Sequence, residues 1–384
     1  ELSALYPAFL DGRPSPLAPL PVQYADFAAW QRGYLQGETL ERQLGYWRDR
    51  LEGPPTLLEL PTDRPRPALQ THRAAVHGFA LPAELAEGIR ALDRREGVTP
   101  FMTFLAALDV VLRRMSGQDD VVVGTPLAGR TRSETEGLVG FFVNMLALRT
   151  DLSGDPPFRE LLGRVRETTL GAYAHQDVPF EKLLEELKVQ RSLSHSSVYQ
   201  VSLILHNAAT DPPRLPGVRT STVDVRAQAT PFDLTLVVAE DADGGMRGSL
   251  TYNADLFDGS TVAAYAAMLR AVLEHAVAEP EAPISWIAPV LEEERMLQVE
   301  RWNETARGLP SHRPVHFAVV FNFAGMAAGQ PDRYFYDAAG RQLGQHQEKL
   351  ELHNADRLGL VDEWLGLDAS VELSEPAGLW TWPV

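Results

Sequence analysis

The heptapeptide His175-Gln176-Asp177-Val178-Pro179-Phe180-Glu181 sets a boundary that any fold of this chain must respect. Upstream of it, Phe158, Leu161, Leu162, Val165 and Tyr173 recur as one face of a helix. Pro179 has no backbone N–H to donate, so it suits only the first turn of a new helix. Asp177 and Glu181 bring negative charge to the positive dipole end of that helix, which runs to about Leu187. Further upstream the apolar run Val139-Gly140-Phe141-Phe142-Val143-Asn144 reads as a strand. The local order is therefore strand, helix, polar corner, second helix. Taken by itself, the corner is a well-made helix start.

The flanking segments have the same α/β character. Glu1 to Leu10 reads as a helix met in its middle, and the proline-rich Asp11 to Pro21 as a linker. Phe27, Trp30, Tyr34, Leu44, Trp47 and Leu51 suit one or two helices broken near Gly33 and Gly37, and their aromatics suit a core. The prolines in 53–55 and 61–67 make stiff connectors. Ala75 to Leu81 predicts a strand, and Pro82 to Arg95 a helix. Pro100 to Ser116 predicts a strong helix stopped by Gly117. Val121-Val122-Val123 is a short apolar run suited to a strand buried on both faces. Beyond the corner, Tyr199 to Leu205 and Phe232 to Val238 alternate with period two. The second of these turns at Asp243-Gly244-Gly245 into a partner strand through Leu250 and Tyr252. Ser260 to Ala278 is an amphipathic helix, and Leu291 to Trp302 a short charged one. From Ser311 onward the pattern loosens, with Val315 to Ala324 suited to one strand.

Composition narrows the function classes. A net charge of -17 opposes a nucleic-acid surface, because phosphate binding needs clustered Lys and Arg. The absence of cysteine removes disulfides, thiolate nucleophiles and thiolate metal sites, and is compatible with a cytoplasmic location. No apolar run is long enough for a membrane-spanning helix. There is no Gly-x-Ser-x-Gly elbow, no phosphate-cradling glycine loop and no His-Glu-x-x-His. His312 and His316 are separated by Pro314, which disfavours a shared helix face, and His72 and His77 fall on opposite faces of a strand edge. No metal site is expected.

Four stretches together carry a resemblance. They are Tyr24-Ala25-Asp26-Phe27-Ala28-Ala29-Trp30, the 139–144 run, the 175–181 corner and, less completely, Arg191-Ser192-Leu193-Ser194. Their order and approximate spacing resemble the core motifs of nonribosomal peptide synthetase condensation domains. Tyr252-Asn253-Ala254-Asp255-Leu256-Phe257-Asp258 resembles the closing strand and turn of that domain. Glu294-Arg295 through Trp302-Asn303-Glu304-Thr305 resembles the linker toward an adenylation domain.

The resemblance implies an α/β fold: a two-layer α/β sandwich lobe similar to chloramphenicol acetyltransferase, with a mixed sheet and flanking helices. It divides the chain into the end of an N-terminal lobe helix and a crossover (1–65), the C-terminal lobe (66–279), a linker (280–310) and an unassigned tail (311–384). The implied reaction is amide-bond formation between two aminoacyl or peptidyl thioesters. No cofactor is bound directly; phosphopantetheine is presented by peptidyl carrier proteins, which with the N-terminal lobe and the adenylation domain are the implied partners. Tyr24, Asp26, Trp30, Arg130, Asn144, His175, Gln176, Asp177 and Arg191 are the implied tunnel or motif positions, with Arg130 a candidate ion partner for the family's motif aspartate.

None of these is expected to be catalytic. The family's His-His-x-x-x-Asp-Gly motif belongs upstream of Glu1 and does not occur in the sequence; His206 to Asp211 departs from it at Asn207 and Pro212. The 384 residues are therefore expected to be inactive by themselves and to expose apolar surface along the cleft. Alternatives are a non-catalytic carrier-binding module and a relative of epimerisation domains.

Overall fold

The structure, a computed structural model, describes residues 1–53, 57–188, 192–206, 215–220, 229–241 and 244–286, and the backbone of three short strands beyond. The chain forms two compact units, Glu1–Pro289 and Val290–Val384.

The first unit begins with α1 (Leu2–Leu10), α2 (Tyr24–Tyr34) and α3 (Gly37–Leu51). It continues through β1 (Ala74–Leu81), α4 (Ala83–Glu96), α5 (Pro100–Ser116), β2 (Asp120–Leu127), the one-turn α6 (Ser133–Glu136) and β3 (Asn144–Asp151). Next come α7 (Phe158–Ala174), α8 (Phe180–Glu186), β4 (Val201–His206), β5 (Leu234–Glu240), β6 (Met246–Asn253) and α9 (Gly259–Ala278). The strands form one mixed sheet in the order β1-β6-β5-β4-β2-β3. β4 is parallel to both β2 and β5, whereas β1–β6, β5–β6 and β2–β3 are antiparallel. α5 packs on β2, α7 on β3, and α9 on β1 and β6, while α4 packs on α5 and α9. This is the expected α/β arrangement.

Local chemistry explains why these segments form. α5 starts where Thr99 Oγ1 accepts the Met102 N–H and Pro100 fills the first turn, and it stops where Gly117 turns left-handed at φ 72°. The helical apolar face at Phe104, Leu105, Leu108 and Leu112 is buried, as is the Val121–Val123 run. Each such large side chain contributes roughly 1.5–3 kcal/mol on burial. Leu44, Trp47, Leu51, Leu58 and Leu60 join the same core, so α3 and the crossover are part of this fold rather than an appendage.

One strand assignment needs correction. The 139–143 run joins no strand ladder and bends at Gly140, and β3 begins only at Asn144. The partner strand β2 ends opposite it at Leu127, and Gly129, at φ 64°, packs closely against the Phe142 carbonyl without extending the ladder. Phe142 is buried, whereas its neighbours Phe141 and Val143 face solvent.

The second unit contains β7 (Ala318–Phe321), β8 (Arg333–Tyr336) and β9 (Gln342–His346) in an antiparallel sheet, β7 lying within the Val315–Ala324 stretch. Arg191, the Leu291–Trp302 helix and the region from Asn207 to Asp211 lie outside the described residues.

Candidate functional site

The corner between α7 and α8 is held by the side chain at the start of β3. Asn144 Nδ2 donates to Gln176 O at 2.9 Å and to Val178 O at 2.8 Å. Its Oδ1 accepts the N–H of Phe180 at 3.0 Å and of Met145 at 2.9 Å. All four positions an amide can fill are therefore used on backbone groups. The Phe180 N–H belongs to the first turn of α8, so this amide also satisfies one of the orphan donors that a proline-led helix leaves.

α3 clamps the corner from its other side. Trp47 Nε1 donates to His175 O at 2.8 Å, and Gln43 Nε2 to Asp177 Oδ2 at 3.2 Å. Tyr34, at the end of α2, adds an O–H donor to the same Asp177 oxygen at 3.3 Å. The His175 ring stacks on Tyr46, and its Nδ1 lies 2.8 Å from Gly171 O. A carbonyl can only accept, so Nδ1 carries the proton. Gln176 Nε2 folds back onto Tyr173 O at 2.7 Å. Burial pushes the Tyr46 hydroxyl above its ordinary pKa, with Arg50 opposing. His175 and Gln176 thus spend their side chains on backbone carbonyls, while Asp177 is held by the side chains of Gln43 and Tyr34.

A second group surrounds the 139–143 segment. Tyr24 donates its hydroxyl to Phe141 O at 2.9 Å, and its ring covers Gly140 so closely that a Cβ there would lie 2.2 Å from it. Tyr24 and Phe27 pack on Phe142, with ring centroids 5.2 and 4.8 Å away. Trp30 stacks on Tyr34 at 5.0 Å and carries the Arg132 guanidinium 4.1 Å above its ring. Arg130 lies over Phe142 and donates to the carbonyls of Thr135 and Leu138. Asp26 accepts the Gln23 N–H at 2.8 Å and caps α2.

Of the expected positions, the structure gathers Asn144, His175, Gln176 and Asp177 into one network, and Tyr24, Trp30 and Arg130 into the other. Asp26 stands apart as a cap. Gln43, Tyr46, Arg132 and Phe142 take part without having been singled out in the sequence. Gln43, Tyr46 and Trp47 share a helix-face spacing that could have pointed to the first two.

Elsewhere, Arg66 grips Asp233 through both carboxylate oxygens at the start of β5. His195 beside them accepts from or donates to Ser192 and Ser194 hydroxyls, and burial followed by Arg66 depresses its pKa. Among the described residues no group of three or more His, Asp or Glu side chains could hold a metal ion, and no helix is long and apolar enough to cross a membrane.

Residues 1–298 match the family model described as a condensation domain. Residues 290–384 match a different one, the C-terminal region of alpha-amylase/4-alpha-glucanotransferase. The chain is 48% identical over 315 residues to a linear gramicidin synthase of Brevibacillus parabrevis, covering 82% of this chain and 4% of that synthase. It is 44% identical over 316 residues to malpinin synthetase of Mortierella alpina, again 82% of this chain and 4% of the relative. The chain thus spans a small fraction of the synthetases it matches. Among solved structures, the X-domain from teicoplanin biosynthesis superposes with a TM-score of 0.70 at 35% identity, over 75% of this chain and 67% of that one. A four-domain nonribosomal peptide synthetase bound to AMP and glycine superposes with a TM-score of 0.62 at 27% identity, over 67% and 21%. With the mixed sheet and the motif-bearing corner, these matches establish that the chain belongs to the condensation domain family of nonribosomal peptide synthetases.

Proposed function

We propose that residues 66–279 supply the C-terminal lobe, and residues 1–65 the end of an N-terminal lobe helix and the crossover, of a domain that joins two carrier-bound thioesters. In that reaction the acceptor amine forms a C–N bond to the donor carbonyl while the C–S bond breaks. The donor's phosphopantetheine sulfur leaves and takes up a proton, and the amine nitrogen loses one. The barrier falls when the two tethered reactants are aligned and shielded from water.

The observation that carries this reading is the network at the corner, in which Asn144 ties it to β3 and Trp47 and Gln43 tie it to α3. A wall that must align two flexible arms needs a backbone that does not move, and here side chains of three elements fix it. His175 and Asp177 act as scaffold. No His-His-x-x-x-Asp-Gly occurs in the 384 residues, so by themselves they form no amide.

The test combines the purified chain with donor and acceptor carrier proteins loaded with aminoacyl groups. Saturable carrier binding without dipeptide product is expected; measurable dipeptide would overturn the scaffold assignment, and absence of binding would overturn the carrier-partner reading. A second reading, a non-catalytic recruiting module, is favoured by the likeness to the teicoplanin X-domain, which has been solved in complex with OxyB. It predicts that restoring the N-terminal lobe leaves the chain inactive, whereas the first reading predicts that condensation returns. The 280–310 stretch keeps its proposed role as a linker toward an adenylation domain, to be tested by the gene sequence on either side.

A further inference from the structure

Asp109 sits at the middle of α5, the helix at the centre of the first unit, and is fully buried. Neither carboxyl oxygen has a hydrogen-bond partner among the described residues. The backbone N–H groups around it are committed to the helix itself, so no local donor can turn toward it. Its polar neighbour is the Thr150 hydroxyl of β3, which is also buried and also without a bond in standard geometry.

Most charged groups on the surrounding elements are engaged elsewhere, and none of them forms an ion pair with Asp109. On α4, Asp93 takes the Thr103 hydroxyl, Arg90 pairs with Glu240 and Arg94 with Glu87. On α7, Arg159 pairs with Glu96, Arg164 with Glu160, Arg166 donates to Gly97 O, and Glu167 is exposed. On β2 and β3, Asp120 and Arg149 pair with each other and Asp151 caps Ser153. On α9, Arg270 pairs with Glu274, and the half-buried His275 has no partner for its Nε2 among the described residues. On α5 itself, Arg113 pairs with Asp119, and Arg114 donates through Nη2 to Ser285 O, its buried Nη1 having no partner among the described residues. Burial is what shifts the Asp109 titration, upward, with Thr150 a smaller opposing influence.

An ionised carboxylate in such a place would have no counter-ion and at most the Thr150 hydroxyl as a donor, too little to offset full burial, and a group in that position neutralises instead. We propose that Asp109 is carried in the folded chain as a neutral carboxylic acid whose O–H is directed at Thr150, and that the α5–α7–β3 layer is thereby a pH-sensitive joint that loosens in alkali. Folding then takes up one proton from solvent at neutral pH, because the same carboxyl is ionised in the unfolded chain.

The sign follows from linkage. The folded state binds the extra proton from the ordinary carboxyl range up to the raised folded value. Across that window the folding equilibrium constant falls about tenfold per pH unit, and below it Asp109 contributes no pH dependence.

The experiment compares the full chain with Asp109→Asn and Asp109→Leu, after circular dichroism shows that each folds. At neutral pH the wild-type infrared spectrum should contain the C=O stretch of a protonated carboxylic acid that both variants lack. The ratio of wild-type to variant folding constants should fall with rising pH at about tenfold per unit. A ratio independent of pH, or a wild-type spectrum with no such band, overturns the proposal. If neither variant folds, aspartate carboxyl labelling with carbon-13 carries the test in the wild-type chain. One resonance should stay in the protonated position at neutral pH, and its absence would overturn the proposal equally.

Discussion

The imidazole of His175 lies flat against the phenol ring of Tyr46, with centroids 4.2 Å apart and planes 4° from parallel. The stack joins the end of α7 to α3, and the ring's Nδ1–H is already spent on Gly171 O. His175→Phe should keep the stack and lose the hydrogen bond, costing about 1 kcal/mol in urea unfolding. In a domain completed with its N-terminal lobe, the same variant should retain condensation within a few-fold. A loss of a hundredfold or more would show that the imidazole takes part in the chemistry.

Asn144 is the more sensitive position. Asn144→Ala strips partners from Gln176 O, Val178 O and Phe180 N together. The expected loss is about 2–4 kcal/mol, since each orphaned buried group carries its own desolvation cost. Asn144→Asp should be no better, because it turns an oxygen toward two carbonyls. Chemical denaturation checks both, and a loss under about 1 kcal/mol for the alanine variant would refute the strut role.

Gly124, in β2, is required by a neighbouring ring. A Cβ there would lie 2.1 Å from Tyr199, whose ring is wedged among Phe180, Phe232 and this strand. Gly124→Ala should destabilise by about 1–3 kcal/mol through overpacking. Tyr199→Leu made in the same chain should recover part of that loss, which a double-mutant cycle would read as favourable coupling.

Burial pushes the Asp93 carboxyl up to about 6, with the Thr103 hydroxyl and Arg94 opposing. Its folded pKa is above the unfolded one, so the folded state holds more protons between the two values. Stability therefore falls as pH rises from about 4 to 6 and is level beyond. Asp93→Asn keeps an acceptor for Thr103 and should raise stability at pH 7 by up to about 3 kcal/mol, with little difference near pH 3.5. Thermal melts at the two pH values measure it, and an equal effect at both would contradict the assignment.

Val139, Phe141 and Val143 expose 83%, 75% and 50% of their surface within five residues, and Phe9 and Leu10 of α1 are also exposed. Apolar surface gathered in this way favours association. Light scattering should show mass rising with concentration, and Phe141→Asp should reduce the rise. A monodisperse monomer at high concentration would contradict the expectation.

Much of the fold is legible in the sequence because periodicity and punctuation agree. The α5 helix, the Val121–Val123 strand and the β5–β6 hairpin each carry a repeat of the right period between clear stop signals. The 139–143 run reads as a strand because it is apolar, while its lack of a partner depends on where β2 ends. The corner itself is legible as a helix start, and its roles are not. Sequence places Asn144 beside Phe142 and Val143, and says nothing of Gln176 or Val178 more than thirty residues away.

The sequence by itself determined the local conformations and, through four motifs in register, the family. Those depend on dihedral preferences and residue spacing, which are properties of short stretches. Only the tertiary structure decided that His175 is a stacked scaffold residue, that Asn144 is the strut of the corner and that Asp109 lies without a counter-charge. Hydrogen bonding and burial act between groups close in space, and for these residues the decisive neighbours come from other elements of the fold.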